Sequence, residues 1–414
     1  MGERVYARLF SFYFVRNVMS DTQTNHLMPV FNRLPVAFAH GQGIWLTDTN
    51  GKQYLDALAG IAVNALGHNH PRLVAALREQ VGQLIHVSNL YQVPEQIELA
   101  NQLARLSGMD EVFFANSGAE ANEGAIKLAR LYGHQQGKTN GKIIVMSEAF
   151  HGRTLATLTA TGNAKVQKGF DPLVTGFVRV PFNDVGAIHA LQSDLDVVAV
   201  MLEVVQGEGG VSSLSAGVLG EIRALCDANQ WLLIIDEVQT GVGRTGQWFA
   251  HQIENVTPDV MTLAKGLGAG VPVGALLTWG RATGVFHVGA HGTTFGGNPL
   301  AMRAALTTLA VIEDEGLCAN ASKQGDAIRA GLAQILSEEV AAGKVKEFRG
   351  KGLMVGIELD RPCGELVTRA LDAGLLINVT HDSVVRLLPP LIINDEETAE
   401  LVARLVVLIK EFLA

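Results

Sequence analysis

Two short segments carry residue types able to do chemistry together. Trp231-Leu-Leu-Ile-Ile-Asp236 is a bulky apolar run that stops at a carboxylate, the pattern of a buried strand delivering an acid to a sheet edge. Met261-Thr-Leu-Ala-Lys265-Gly266 then delivers one lysine onto a glycine-rich bend. A carboxylate beside an aromatic ring nitrogen, with a primary amine able to form an imine, is what pyridoxal 5'-phosphate (PLP) chemistry requires. The pairing predicts an enzyme in which Asp236 and Lys265 are catalytic.

Three further stretches have the chemistry to complete such a site. Asn116-Ser-Gly-Ala-Glu-Ala-Asn122 lies where a strand hands over to a helix. Exposed amides, the Ser117 hydroxyl and a glycine allowing close approach make an anion site, although a plain helix cap uses the same residues. Beside Asp236 and Lys265, a phosphate cradle is the better reading. Phe150-His151-Gly152-Arg153 follows another strand, at the sheet edge where ligands of such folds bind. Phe150 has the shape to stack on a planar ring and Arg153 the fork to grip a carboxylate; core packing is the alternative. Glu203-Val-Val-Gln-Gly-Glu208 holds two acids suited to proton transfer, but its composition reads better as a polar loop that orients other groups.

Three motifs point elsewhere and fail on context. Gly241-Val-Gly-Arg-Thr-Gly246 matches a dinucleotide fingerprint literally, yet no long helix opens from it and no acid-bearing second strand follows. Gly133-His-Gln-Gln-Gly-Lys-Thr139 is one residue short of a phosphate loop and follows a helix. Gly67-His-Asn-His-Pro71 offers two histidines with no further ligand cluster, so no metal is expected.

The elements that must position these groups alternate. Residues 43–56 read as a hairpin turning at Asp48–Gly51, and Pro71 to Ile85 as a helix with Leu73, Leu77, Val81 and Leu84 on one face. A second helix follows Pro94. Strands at Glu111–Ala115, Lys142–Ser147, Val197–Val205, Trp231–Asp236 and Val260–Ala264 alternate with helices at Ala119–Tyr132 and Val218–Asn229. That order implies an α/β fold, with a mostly parallel central sheet covered by helices on both faces. Beyond residue 300 a long helix, three apolar strands and a closing helix from Asp395 read as a smaller α+β domain. The expected division is 1–18 as a disordered or extraneous extension, 19–65 and 301–414 as the two parts of the small domain, and 66–300 as the large cofactor domain.

Composition narrows the class. With 414 residues, 48% hydrophobic, 45 glycines and 18% charged, the chain suits a large compact α/β enzyme. A net charge of −9 without a basic stripe argues against nucleic acid as a partner. Three scattered cysteines fit a reduced, cytoplasmic setting. No apolar run approaches the roughly 18 to 20 residues that span a bilayer.

Taken in order, Asn116-Ser-Gly-Ala-Glu-Ala, Phe150-His-Gly-Arg, Glu203 to Gly210, Asp236-Glu-Val-Gln-Thr-Gly, Lys265-Gly and His291-Gly-Thr-Thr-Phe-Gly-Gly-Asn-Pro resemble the class III, PLP-dependent aminotransferases, and within them the acetylornithine aminotransferase group. The resemblance runs from about Met28 to the C-terminus and implies PLP fold type I. It casts Lys265 as the lysine that forms the imine and moves the proton, and Asp236 as the partner of the ring nitrogen. Ser117, Gly118 and Ala119 match the phosphate loop. Phe150 and Val238 match the two ring faces, with His151 in the same cofactor motif and Gln239 near the ring hydroxyl. Thr294 matches a threonine that reaches the phosphate from the neighbouring subunit, implying a homodimer with shared sites. Arg153 corresponds to the arginine for the donor's α-carboxylate or glutamate's distal one, and Arg386 to that for the α-carboxylate of 2-oxoglutarate and glutamate. Glu208 corresponds to the acid that masks Arg386 while the ω-amine is bound. For Arg386 a strand-end surface arginine is the alternative.

The expected reaction moves the ω-amino group of N2-acetylornithine to 2-oxoglutarate, a step of arginine biosynthesis. Ile61 stands where ornithine aminotransferases carry tyrosine, which favours an acylated donor. Siblings acting on succinylornithine, succinyldiaminopimelate, 4-aminobutyrate or ornithine are the nearest rivals. A PLP-fold binding module is a rival from another class.

Overall fold

The computed structural model describes residues 26–414; the expectation for residues 1–18 lies outside them. The chain opens with a meander of β1 (Phe38–Gln42), β2 (Trp45–Asp48) and β3 (Gln53–Asp56). Asp48 closes its turn by accepting the Asn50 and Lys52 amides at 2.8 and 2.9 Å. Next come β4 (Glu111–Ala115), β5 (Lys142–Met146), β6 (Phe177–Val180) and β7 (Val197–Leu202). A short ribbon of β8 (Val205–Gln206) and β9 (Ser212–Ser213) precedes β10 (Leu232–Asp236), β11 (Val260–Leu263) and β12 (Gly274–Thr278). The last strands are β13 (Val345–Lys351), β14 (Met354–Leu359), β15 (Leu375–Leu376), β16 (Asn378–Thr380) and β17 (Val384–Leu387).

The central sheet runs β4-β12-β11-β10-β7-β5-β6, with β12 as its antiparallel member. Every residue of β7 and β10 is buried, as expected of apolar runs covered on both faces. Because β10 pairs in parallel with β7 and β11, and β7 with β5, the residues that leave these strands emerge at one edge. Asp236 stands opposite Thr262, and Lys265 follows three residues later. Glu203 follows β7 directly, and the Phe150 to Arg153 stretch follows β5. Two segments distant in sequence thereby deliver an acid and an amine to adjacent positions.

The meander pairs through β3 with β15, so segments more than 300 residues apart share a sheet. A third sheet, β13-β14-β17-β16, carries Arg386 in β17. The loop Gly241–Gly246 ties these parts together. Its Arg244 is 2% exposed and donates to the carbonyls of Leu353 (3.1 Å) and Pro389 (2.5 Å). The glycines that imitate a dinucleotide fingerprint thus serve a buried bend.

Several expectations change. The helix after Pro71 is Pro71–Val81, ending at Gly82, which leaves Val81, Leu84 and Ile85 exposed, not on a buried face. The single long helix past residue 300 is two, Pro299–Asp314 and Leu317–Ile335, broken at Gly316 with φ 62°. Strands β6 and β12 had no terminal carboxylate to mark them, and the edge strand β13 is too charged for an apolar pattern to reveal.

Gly274 pairs with Ala115 so closely that an added Cβ would lie 2.4 Å from the Ser117 carbonyl oxygen. Gly274→Ala is expected to cost about 2 kcal/mol through overpacking, read as a lower urea midpoint. An unchanged midpoint would contradict the close approach.

Candidate active site

The shared sheet edge opens into a cavity of about 400 Å³. Ser117, Gly118, Ala119, Phe150, His151, Arg153, Glu208, Asp236, Val238, Gln239 and Lys265 all line it. Arg386 reaches it through Glu208 and Gln239, the partners of its Nη1. Thr294 does not join them: it is exposed on the loop before Pro299, away from this chain's own cavity.

The acid end is fully built from protein atoms. Asp236 is 3% exposed, and its Oδ2 accepts from Asn122 Nδ2 at 2.7 Å and pairs with His151 Nδ1 at 2.8 Å. Its Oδ1 accepts the Val238 amide at 2.9 Å. Asn122 is fixed in turn by donating to the His151 carbonyl (2.8 Å) and accepting from the Thr262 hydroxyl (2.7 Å). Burial disfavours a charged His151, but the bond to Asp236, its charge and that of Glu203 outweigh this and raise the imidazole's pKa. Glu203 accepts the Phe150 amide at 2.8 Å, and burial, against His151 and with Asp236, pushes its carboxyl up to about 7.

Lys265 lines the same cavity. Burial first, then the positive charge of Arg386, lower its pKa against the pull of Asp236, Glu208 and Glu203. A lowered pKa moves the amine in the direction of its neutral, nucleophilic form. Its φ of 42° is left-handed backbone for a residue with a Cβ, strain of the kind that gathers at functional sites.

An anion cradle opens where β4 meets the helix Gly118–Gln135. Ser117 caps it, its hydroxyl accepting the Glu120 amide at 3.2 Å. The amides of Gly118 and Ala119 have no carbonyl one turn back and remain available to an anion. Close approach is built in, because a Cβ on Gly118 would lie 2.7 Å from Val238 Cγ1. The cap and the cradle are therefore compatible uses of one motif.

Two arginines differ sharply. Arg153 is exposed, with its guanidinium over the Phe150 ring at 5.5 Å from the centroid. Arg386 has a side chain 0% exposed, unlike a surface arginine, while that of its partner Glu208 is 42% exposed. Arg386 Nη1 donates to Glu208 at 2.8 Å and Gln239 at 3.3 Å, Nε donates to Asn378 at 3.1 Å, and Nη2 is buried with no partner among the described residues. Asn122, Thr262 and Asn378 were missed in the sequence. Asn122 had a signal, a polar residue inside an alanine-rich helical turn that must be buried.

A sequence model of the family described as "Aminotransferase class-III" matches residues 29–409. Acetylornithine aminotransferase 1 of Bordetella bronchiseptica is 58% identical over 389 residues, covering 94% of this chain and 98% of that protein. Among solved structures, N-acetylornithine aminotransferase from Stenotrophomonas maltophilia K279a superposes with TM-score 0.80 at 39% identity, over 92% of this chain and 97% of that one. An ornithine aminotransferase from Toxoplasma gondii, with partial occupancy of PLP at its active site, gives TM-score 0.90 at 33% identity, over 94% and 93%.

Glu203 supplies a pH signature. Its raised pKa means the folded protein binds that proton more tightly than the unfolded chain, so this contribution to stability is complete below about 4.5 and is lost as pH rises through about 7. Glu203→Gln, which keeps an acceptor for the Phe150 amide, should gain thermal stability relative to the parent between those values. Melting curves that stay parallel from pH 5 to pH 8 would contradict the assignment.

Proposed function

Since the chain belongs to the class-III aminotransferases, we propose that it transfers the terminal amino group of N2-acetylornithine to 2-oxoglutarate with PLP as cofactor. The products are N-acetylglutamate 5-semialdehyde and glutamate, a step of arginine biosynthesis. One observation carries the reading: a half-buried lysine amine of lowered pKa and a buried, triply hydrogen-bonded carboxylate line the same cavity, with one arginine beside it and a second at its wall.

The residues present fit this cofactor. The close-packed Gly118 and the free amides at the helix start suit its phosphate, with Ser117 and Ala119. Asp236, backed by His151 and Asn122, suits a protonated ring nitrogen, and Gln239 the ring hydroxyl. Phe150 and Val238 would cover the two ring faces, and Lys265 supplies the tethering amine. Bound there, PLP provides an electron sink for the carbon that carries the transferred amine.

Within this frame each residue has a task. Lys265, once released from the tether, takes the proton from the substrate carbon and returns it one position away. Arg153 binds the donor's α-carboxylate or the distal carboxylate of glutamate. Glu208 neutralises Arg386 during the donor half-reaction and yields it to the α-carboxylate of 2-oxoglutarate in the second. Removing Glu208 alone would strand a buried charge, so an anion must replace it. Val63 on the cavity wall and Ile61 two residues before it give an apolar approach suited to an acetylated donor. The name of the Bordetella relative supports the same substrate.

The assembly reading is a homodimer. Leu90, Tyr91 and Phe295 are 85%, 69% and 63% exposed, and His86 packs on Phe295 at 5.5 Å, so this apolar surface adjoins the Thr294 loop. Covering it with a second copy would bring Thr294 to the partner's phosphate cradle. Of the division into 19–65, 66–300 and 301–414, the described residues from 26 to 65 would join 301–414 in the small domain, beside the large domain 66–300. Three unpaired thiols support a cytoplasmic setting, and no described helix is long and apolar enough to cross a membrane. Nucleic acid has no place in this reading.

Lys265→Ala should lower turnover at least about 10³-fold and abolish the borohydride-fixable link between PLP and protein. Normal turnover would exclude the mechanism. Across N-acetylornithine, N-succinylornithine, N-succinyldiaminopimelate, 4-aminobutyrate and ornithine, kcat/KM should be highest for the first. A higher value for any other would reassign the donor.

A further inference from the structure

Arg386 is the most enclosed charge in the site, and its five N–H donors are unevenly committed. Nε donates to Asn378 Oδ1 at 3.1 Å, Nη1 to Glu208 and Gln239, and Nη2 to no atom of the described residues. The Glu208 contact must break when an acceptor carboxylate arrives. The Asn378 contact need not, because it lies on the other side of the guanidinium plane's fork, at Nε.

Strand pairing explains why Asn378 is available. β16 and β17 are antiparallel, with Asn378 opposite Arg386 and Thr380 opposite Val384. Cross-strand partners place their side chains side by side on one face. Asn378 and Thr380 are two positions apart, so they share that face. The Thr380 hydroxyl donates to the Glu208 carbonyl at 2.5 Å. One strand of three residues therefore holds the guanidinium through Asn378 and the backbone of its exchangeable partner through Thr380.

We propose that Asn378 is a positioning residue for the acceptor half-reaction: by fixing Nε it keeps the Nη1–Nη2 edge of Arg386 aimed for bidentate capture of a 2-oxo acid's α-carboxylate when Glu208 departs. This rests on the substrate roles given under Proposed function. Without Asn378, a fully buried guanidinium would lose its hold at Nε at the moment Glu208 leaves, and would turn toward other acceptors such as Gln239. Affinity for the acceptor would fall while the donor half-reaction, served by Arg153 with Glu208 in place, would continue.

The test compares holoenzyme half-reactions in Asn378→Ala, Asn378→Leu, Asn378→Asp and Arg386→Ala. Loss of one hydrogen bond to a charged group should raise KM for 2-oxoglutarate about tenfold in the Ala and Leu variants. Single-turnover rates with N-acetylornithine should stay within about twofold of the parent. Asn378→Asp keeps an acceptor at Nε but adds a charge that masks Arg386 permanently, so KM for 2-oxoglutarate should rise in this variant too. The Leu variant preserves volume and decides the matter should the Ala variant misfold. An unchanged KM in the Leu variant, or equal slowing of both half-reactions, overturns the inference alone. A parent enzyme that ignores 2-oxoglutarate, or an Arg386→Ala variant with normal KM for it, overturns the functional reading and this inference with it.

Discussion

The arrangement depends on the carboxylate of Asp236. It lies at the end of a strand buried along its whole length, where an unpaired charge would be costly to maintain. Three donors from different parts of the chain meet it: a helix through Asn122, the loop after β5 through His151, and the following turn through the Val238 amide. Two of the donors are restrained in turn, Asn122 by Thr262 on β11 and His151 through its amide, which donates to the Thr161 hydroxyl at 3.0 Å. The acid is thereby preorganised before any ligand arrives. Such preorganisation is where much of an enzyme's electrostatic stabilisation originates.

Around this fixed acid the other charges are graded by their freedom to move. Arg386 is enclosed and held at Nε, and its partner Glu208 is the more exposed of the two. Arg153 lies at the solvent side on an aromatic face. The amine of Lys265 feels Arg386 and the acids in opposition, with burial tipping it toward neutrality. A site that accepts a terminal amine and an α-amino acid in turn needs this gradation. One arginine must be masked reversibly, and its mask must leave no hole behind.

Much of this was legible in the sequence because strand ends mark themselves. Apolar runs stopping at Asp236 and Glu203 located the sheet edge, and strand-to-helix punctuation at Ser117 located the anion cradle. Family resemblance supplied what periodicity had no means to give, such as the pairing of Arg386 with Glu208. The supporting groups were silent for physical reasons. Asn378 acts through cross-strand register between β16 and β17, and Thr262 through its position opposite Asp236 in a parallel pair. Register is a property of two segments at once, so no single segment announces it. Helix length past Pro71 was overestimated because the apolar spacing continues beyond Gly82 into residues that are exposed in one chain.

In the proposed mechanism Asp236 would keep the ring nitrogen of the bound cofactor protonated while Lys265 moves the substrate's proton. Nitrogen-15 NMR of the enzyme loaded with PLP labelled at that nitrogen tests it directly. A protonated nitrogen is expected at neutral pH in the parent and an unprotonated one in Asp236→Ala. An unprotonated nitrogen in the parent, or the same signal in both, would contradict it.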